Sequence, residues 1–434
     1  MLKHSICLLV FLIAGESCGK KEGSASFPMP QWSSFNKPTV FKIDSALTYE
    51  MYLDKLLGSI VGSAIGDAMG APTEGWNRKD ISATVGFVDS LDIHMREGGA
   101  EGPWEDWMPG GSTTDDTRWK YITYQYLMNQ GTSPDSLDSK KFAGHLIQIY
   151  ERQLKELSQI KTFDPEPIEK KMLQINFLQE WAKVSKPYIA NDMEGYTYAL
   201  NKFYGGEMVC AGMLYAPLIG AYFPSSPVHA YTEAYRLGIY DIGYGRDITG
   251  LTAALVSEAM KPGVTIEQIM QVCKSVDPLR FINSRLTGRI SYQSYKDALY
   301  ISDQVKDLKA GAETKLPIKY AYSPDYYVQV QKAYELLDKR NKDFMFHSAE
   351  IHVINLTGLI MGQGDFLKTM EFVINYGRDN DTVGAVTGAI MGAYCGFNKI
   401  PIKLREQVIK TNKEIVGIDL MKMAEELAAK RWGK

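Results

Sequence analysis

"LLGSIVGSAIGDAMGAP", residues 56 to 72, sets glycine at every fourth position: Gly58, Gly62, Gly66 and Gly70. A second stretch, "YGRDNDTVGAVTGAIMGAYCGF" (376 to 397), repeats the spacing with Gly384, Gly388, Gly392 and Gly396. On a helix that period keeps the glycines on one face. Each glycine inside a helix costs about 1 kcal/mol relative to alanine, so four in line need an offsetting gain. Close approach of another backbone is the natural one. "INLTGLIMGQGDF" (354 to 366) adds Gly358 and Gly362 in the same style, and these helices are expected to pack together at the centre of the domain. Small residues at this spacing also occur in membrane helices. Asp67 and the short apolar length argue against that here.

Outward from these stretches the dominant period stays helical. "YITYQYLMNQ" (121 to 130), "KFAGHLIQIYERQLKEL" (141 to 157), "IEKKMLQINFLQEWAKV" (168 to 184), "YVQVQKAYELLDKR" (327 to 340) and "LREQVIKTNKEI" (404 to 415) all carry it. "ATVGFVDSLDIHM" (83 to 95) is the best strand candidate. No composition shift divides the rest, so residues 45–434 read as one large all-α domain.

The N-terminus has another character. Lys3 and His4 precede the apolar run from Ile6 to Ala14, and "GESC" ends at Cys18. This is the layout of a secretory signal. It resembles a bacterial lipoprotein signal over residues 1–17, with Cys18 as the lipidated first mature residue, although Gly15 replaces the usual leucine. A plain cleaved signal is the alternative. Residues 18–44, rich in Gly, Ser, Pro and Lys, read as a flexible tether. Export to the cell envelope is therefore expected, with membrane contact only through that anchor.

A net charge of −3 with 45% hydrophobic residues describes an ordinary globular chain. No basic patch supports nucleic-acid binding. Cys210, Cys273 and Cys395 have neither disulfide-framework nor zinc spacing and read as small core residues.

Carboxylates gather at three helix ends. "TTDDT" (113 to 117) lets Thr113 or Thr114 cap a helix, with Asp115 and Asp116 in its first turn and Trp119, Ile122 and Tyr126 on its core face. Asp379 and Asp381 hold the same place before the Gly384 helix, and Glu74 lies just past the Gly58 helix. Read singly, these are a cap, a turn and a packed helix end. Read together, five carboxylates in one volume call for counter-charge. Oxygen donors with hydroxyl neighbours, and no His or Cys, suit Mg²⁺ or Mn²⁺.

The three segments "GSAIGDAMGAPTE" (62 to 74), "TTDDT" and "GRDNDTVGAVTGAIMGAYCG" (377 to 396), in this order, resemble the signatures of the ADP-ribosylglycohydrolases. The resemblance implies an all-α fold and a two-Mg²⁺ site that cleaves the bond between ADP-ribose and a protein side chain or small acceptor. It implies Glu74, Thr114, Asp115, Asp116, Asp379, Asp381 and Thr382 as metal ligands, with Glu74 and Asp116 as catalytic candidates. Asn380 stands where threonine is usual and Arg378 where glycine is usual. Gly205 and Gly206, in "FYGGEMVCAGMLYAPLIG" (203 to 220), could serve as the family's diphosphate-contacting glycines, without its arginine. "YGRD" at 244 to 247 echoes Tyr376 to Asp379, either as a duplicated turn or as an altered substrate pocket using Asp247. Trp104 or Trp107 could stack on a base or anchor its loop. A monomer acting on an ADP-ribosyl substrate is expected; the alternative is a non-catalytic envelope protein that keeps the fold and a metal site.

Overall fold

The computed structural model describes residues 41–92, 94–95, 107–131, 134–162 and 164–434. The expected export signal, Cys18, the expected tether up to residue 40 and Trp104 lie outside the described residues, as does the side chain of Trp107. Seventeen α-helices run through the described residues. Those used below are α1 (Tyr49–Gly70), α2 (Asp115–Asn129), α3 (Ser139–Gln159), α4 (Pro165–Ala190), α5 (Gly245–Ala259) and α6 (Asn380–Cys395).

Helices α1 and α6 lie antiparallel at the centre, glycine against glycine. A Cβ built on Gly58 would meet Gly392 O at 2.2 Å, one on Gly62 would meet Gly388 O at 2.4 Å, and one on Gly66 would meet Gly384 O at 1.9 Å. The backbones themselves are in contact, which is the gain that offsets the poor helix propensity. Residues Leu56 to Gly70 and Asn380 to Ala393 are buried without interruption. A helix that is apolar all round belongs inside a core, and the other helices wrap this pair. Lys55 Nζ donates to the carbonyls of Ala259, Ala393 and Tyr394, joining α1 to the C-terminal ends of α5 and α6.

The third glycine stretch behaves differently. Cβ atoms on Gly358 and Gly362 would meet the side chains of Val373 and Thr369, on the helix Phe366–Ile374, rather than a glycine backbone. The strand expected over 83 to 95 is largely absent. Residues Arg78–Thr84 are helical, capped by Asn77, and among the described residues of the stretch only His94–Met95 pairs, with Trp107–Met108. The helix expected to run through residue 415 ends at Thr411 and passes into a π turn, Asn412–Val416. Among the described residues no helix is long and apolar enough to cross a membrane.

Candidate metal centre

The glycine register decides what the helix ends bring together. With Gly66 against Gly384, the next turn sets Gly70 against the backbone of Asp381, where a Cβ would lie 2.4 Å from Asp381 Cα. Helix α1 then passes through a 3₁₀ turn, Ala71–Thr73, and delivers Glu74 beside the start of α6. Two main-chain bonds clamp this junction: Gly75 N–H donates to Arg378 O (2.8 Å) and Arg378 N–H to Trp76 O (2.7 Å). Asn380 Nδ2 donates to Thr73 Oγ1 (2.8 Å) and Ile374 O (3.1 Å), a polar bridge at the threonine-to-asparagine departure.

Gly377 and Arg378 both have positive φ, +85° and +67°. At Gly377 a Cβ would fall 2.3 Å from Trp76 O, so glycine is required. A left-handed arginine costs about 1 kcal/mol or more. Here it is offset by a bidentate pair in which Arg378 Nε and Nη2 donate to buried Glu350 at 2.6 and 3.0 Å.

The start of α2 is capped by another helix. Thr114 occupies the N-cap position but makes no side-chain capping bond. Asp67 of α1 accepts instead, from the N–H groups of Thr114 (2.8 Å) and Thr117 (3.0 Å) and from both hydroxyls at 2.8 and 2.6 Å. The local cap expected from Thr113 or Thr114 is thus replaced by a carboxylate 47 residues away. Thr113 Oγ1 is turned away onto Asn412. Thr114 Oγ1 also lies 3.2 Å from Asp381 Oδ2, and Thr382 Oγ1 donates to Asp116 Oδ2 at 2.9 Å.

Carboxylate oxygens of Glu74, Asp379 and Asp381 come within 4.8 Å of one another, and so do those of Asp115, Asp116 and Asp381. The two triads share Asp381. Burial first, and then the neighbouring carboxylates, push Asp379 well above the usual carboxylate range. Asp116 is pushed to about 7 by burial and by Asp67 and Asp381, with Lys120 opposing. Asp67 is raised by burial and by Asp381. The carboxylates outnumber the Lys120 ammonium that sits against Asp116, and Asp379 Oδ1 is buried without a hydrogen-bond partner among the described residues. Both facts, together with the all-oxygen donors, fit a hard divalent cation.

A cavity of about 300 Å³ opens on this cluster. Glu74, Asp115, Asp379, Asp381 and Thr382 line one side, and Trp119, Phe177, Trp181, Phe203, Tyr204 and Phe346 line the rest. The rings pack against one another: Trp119 and Trp181 are tilted with centroids 4.0 Å apart, and Phe203 and Tyr204 are stacked, also at 4.0 Å. A larger cavity of about 440 Å³ lies beside α2, α3 and α4 and carries none of these carboxylates.

The sequence model of the ADP-ribosylglycohydrolases matches residues 48–434. The chain belongs to the ADP-ribosylglycohydrolase family. It is a glycohydrolase-like enzyme. A solved structure described as "ADP-ribosylglycohydrolase-related protein complex" is similar, with a TM-score of 0.53 at 18% identity, covering 88% of this chain and 99% of that one. At that identity the likeness speaks for the fold alone. No curated protein matches the chain.

Within this ADP-ribosylglycohydrolase fold, all seven expected metal ligands gather around Asp381. Asp116 is fully buried, bonded to Lys120 and Thr382, and does not line the cavity, unlike Glu74. Two other assignments need correction. Gly205 and Gly206, at φ +62° and +83°, form a surface turn after the helix Met193–Phe203 and do not line the carboxylate cavity, whereas Phe203 and Tyr204 do. Asp247 is consumed by a buried pair with Arg289, whose Nη2 and Nε donate at 2.7 and 2.9 Å, and by the hydroxyls of Tyr231 and Ser291. The echoed "YGRD" is not a duplicated turn either, since Gly245 to Asp247 are already helical. Sequence reasoning missed Asp67 as an organiser: one residue after Gly66 it turns away from the glycine face and toward the start of α2. Cys210 is a buried core residue, as expected, and its thiol also lines the cavity 3.8 Å from Asp379 Oδ2.

Proposed function

We propose that the enzyme is a magnesium-dependent hydrolase that uses two cations to cleave the glycosidic bond of ADP-ribosyl conjugates or a related ribosyl compound. One observation carries this reading: two carboxylate triads, Glu74–Asp379–Asp381 and Asp115–Asp116–Asp381, meet in a shared aspartate at the floor of an aromatic-walled cavity. The seven residues Glu74, Thr114, Asp115, Asp116, Asp379, Asp381 and Thr382 would hold the pair, and Mn²⁺ would satisfy the same oxygens. Bound there, the cations would supply electrophilic grip on vicinal ribose hydroxyls and a more acidic water.

The chain's own residues divide the remaining work. Glu74, half-buried on the cavity wall as Asp115 also is, is the carboxylate we assign to accept or return a proton from an attacking water. Asp116, Thr114 and Thr382 lock the cluster's geometry through the hydroxyl–carboxylate bonds above. The aromatic wall excludes water around a developing oxocarbenium-like centre and offers ring faces to a base or acceptor. The export reading of residues 1–17 adds an envelope location to this proposal.

Calorimetric titration with Mg²⁺ or Mn²⁺ tests it. Wild type should bind near two cations per chain, and Asp381→Ala should lose both while keeping its helical circular dichroism. Glu74→Gln should lower metal-dependent ADP-ribose release by about a hundredfold or more, with metal binding largely retained. Unchanged stoichiometry in Asp381→Ala, or full activity in Glu74→Gln, overturns the reading.

A further inference from the structure

Lys120 introduces a fixed positive charge into the acidic centre. It follows Asp116 by four residues on α2, so the two side chains share a helix face, and it is only 4% exposed. Its Nζ donates to the Asp116 carbonyl at 3.0 Å and lies 3.4 Å from Asp116 Oδ1. Lysine is rarely buried this deeply unless it is paired. Thr382 Oγ1 donates to the other Asp116 oxygen, so both oxygens of that carboxylate are already engaged. The opposite triad differs: Asp379 keeps a buried oxygen, Oδ1, that no hydrogen bond uses among the described residues.

We propose that Lys120 is a positioning residue that makes the two cation positions unequal, tight at Glu74–Asp379–Asp381 and weak at Asp115–Asp116–Asp381. The inference rests on the two-cation reading above. A cation entering the second triad must share Asp116 with an ammonium and is repelled by it, whereas one entering the first meets an unused carboxylate oxygen. The second position is then the exchangeable one, filled only when the cation is plentiful.

The test is Mn²⁺ titration of the full chain, following free Mn²⁺ by electron paramagnetic resonance alongside calorimetry. Wild type should bind in two steps whose dissociation constants differ by about tenfold or more, and Asp115→Ala should lose only the weaker step. Lys120→Met should tighten the weaker step by about tenfold, equivalent to about 1.4 kcal/mol, and leave the tighter one within about threefold. Lys120→Gln keeps a donor for the Asp116 carbonyl, removes the charge and should act in the same direction, which covers a Met variant that fails to fold. Two equal steps in wild type, or neutral variants that leave the weaker step unchanged, overturn the proposal while leaving the two-cation reading intact. A wild type that binds no Mn²⁺ overturns both.

Discussion

Gly66→Ala separates helix propensity from packing, because the two predict opposite signs. By propensity alone, alanine inside α1 should stabilise by about 1 kcal/mol. The structure opposes this. The new Cβ would lie 1.9 Å from Gly384 O and 2.2 Å from Gly384 C, both main-chain atoms that no rotamer change can move. Ordinary contact begins at 3.4 Å, so the helices must part by about 1.5 Å (3.4 − 1.9) at this point. Forcing atoms into a packed core costs about 1 to 3 kcal/mol, and more where the obstacle is backbone. The expected net loss is about 2 to 4 kcal/mol, read as a lower urea midpoint. Glu74 and Asp381 ride on the two parted helix ends, so Mn²⁺ affinity should fall in the same variant. Gly144→Ala in α3 is the control: its Cβ would find Ile189 Cδ1 at a comfortable 3.9 Å. It should gain about 0.5 to 1 kcal/mol. A Gly66→Ala protein as stable as wild type would refute the claim that these backbones touch.

Further outcomes follow from the same geometry. Asp247→Asn breaks a buried ion pair and should destabilise by about 3 to 5 kcal/mol in chemical denaturation, with cation stoichiometry by calorimetry unchanged; loss of cation binding would restore Asp247 to the site. Arg378→Gly relaxes a left-handed residue but leaves the Glu350 carboxylate buried without its guanidinium. Its melting temperature should fall, and a rise would mean that the backbone strain outweighs the pair. Glu371, which accepts from Tyr322, is pushed by burial to about 7. Between roughly pH 4.3, the unfolded value, and 7, the folded chain holds a proton that the unfolded chain has lost. Its stabilising contribution is therefore complete below that window and lost as pH rises through about 7. Glu371→Gln should flatten this part of the melting-temperature profile, and parallel wild-type and variant profiles would exclude the effect.

What could be read from the sequence was whatever the chain encodes locally. The glycine period is local, and so is each carboxylate at a helix end, so the central helices, the all-α class and the gathering of five carboxylates were legible, while Thr114 and Thr382 came from the family resemblance. The Asp67 cap was not, because a carboxylate inside a helix gives no sign that it will satisfy the start of a different helix. Asp247 misled for a similar reason: the "YGRD" echo is visible in the chain, but Arg289, 42 residues further on, decides what the carboxylate does. Gly205 and Gly206 were located by resemblance to a loop, and a loop can keep its glycines while turning their backbone away from the cavity. The strand at 83 to 95 failed because an apolar run counts as a strand only where a partner lies alongside, and only two of its described residues find one.

The number of hydrogen bonds each carboxylate already makes sorts the acidic residues by role. Asp67 accepts from two backbone N–H groups and two hydroxyls, which saturates both oxygens. It has nothing left to offer a cation, so its function is to hold the start of α2 against α1. Asp116 stands between, with one oxygen on Thr382 and the other facing Lys120. Asp379 has a buried oxygen with no such bond. Leaving that oxygen bare in a buried site is costly, and so is crowding it against Asp381 and Asp116. The α1–α6 backbone contact imposes both, since parting the helices would relieve the crowding but break the glycine packing. On the two-cation proposal, strain of this kind would be released by a bound cation, with the glycine pair holding the oxygens in place beforehand.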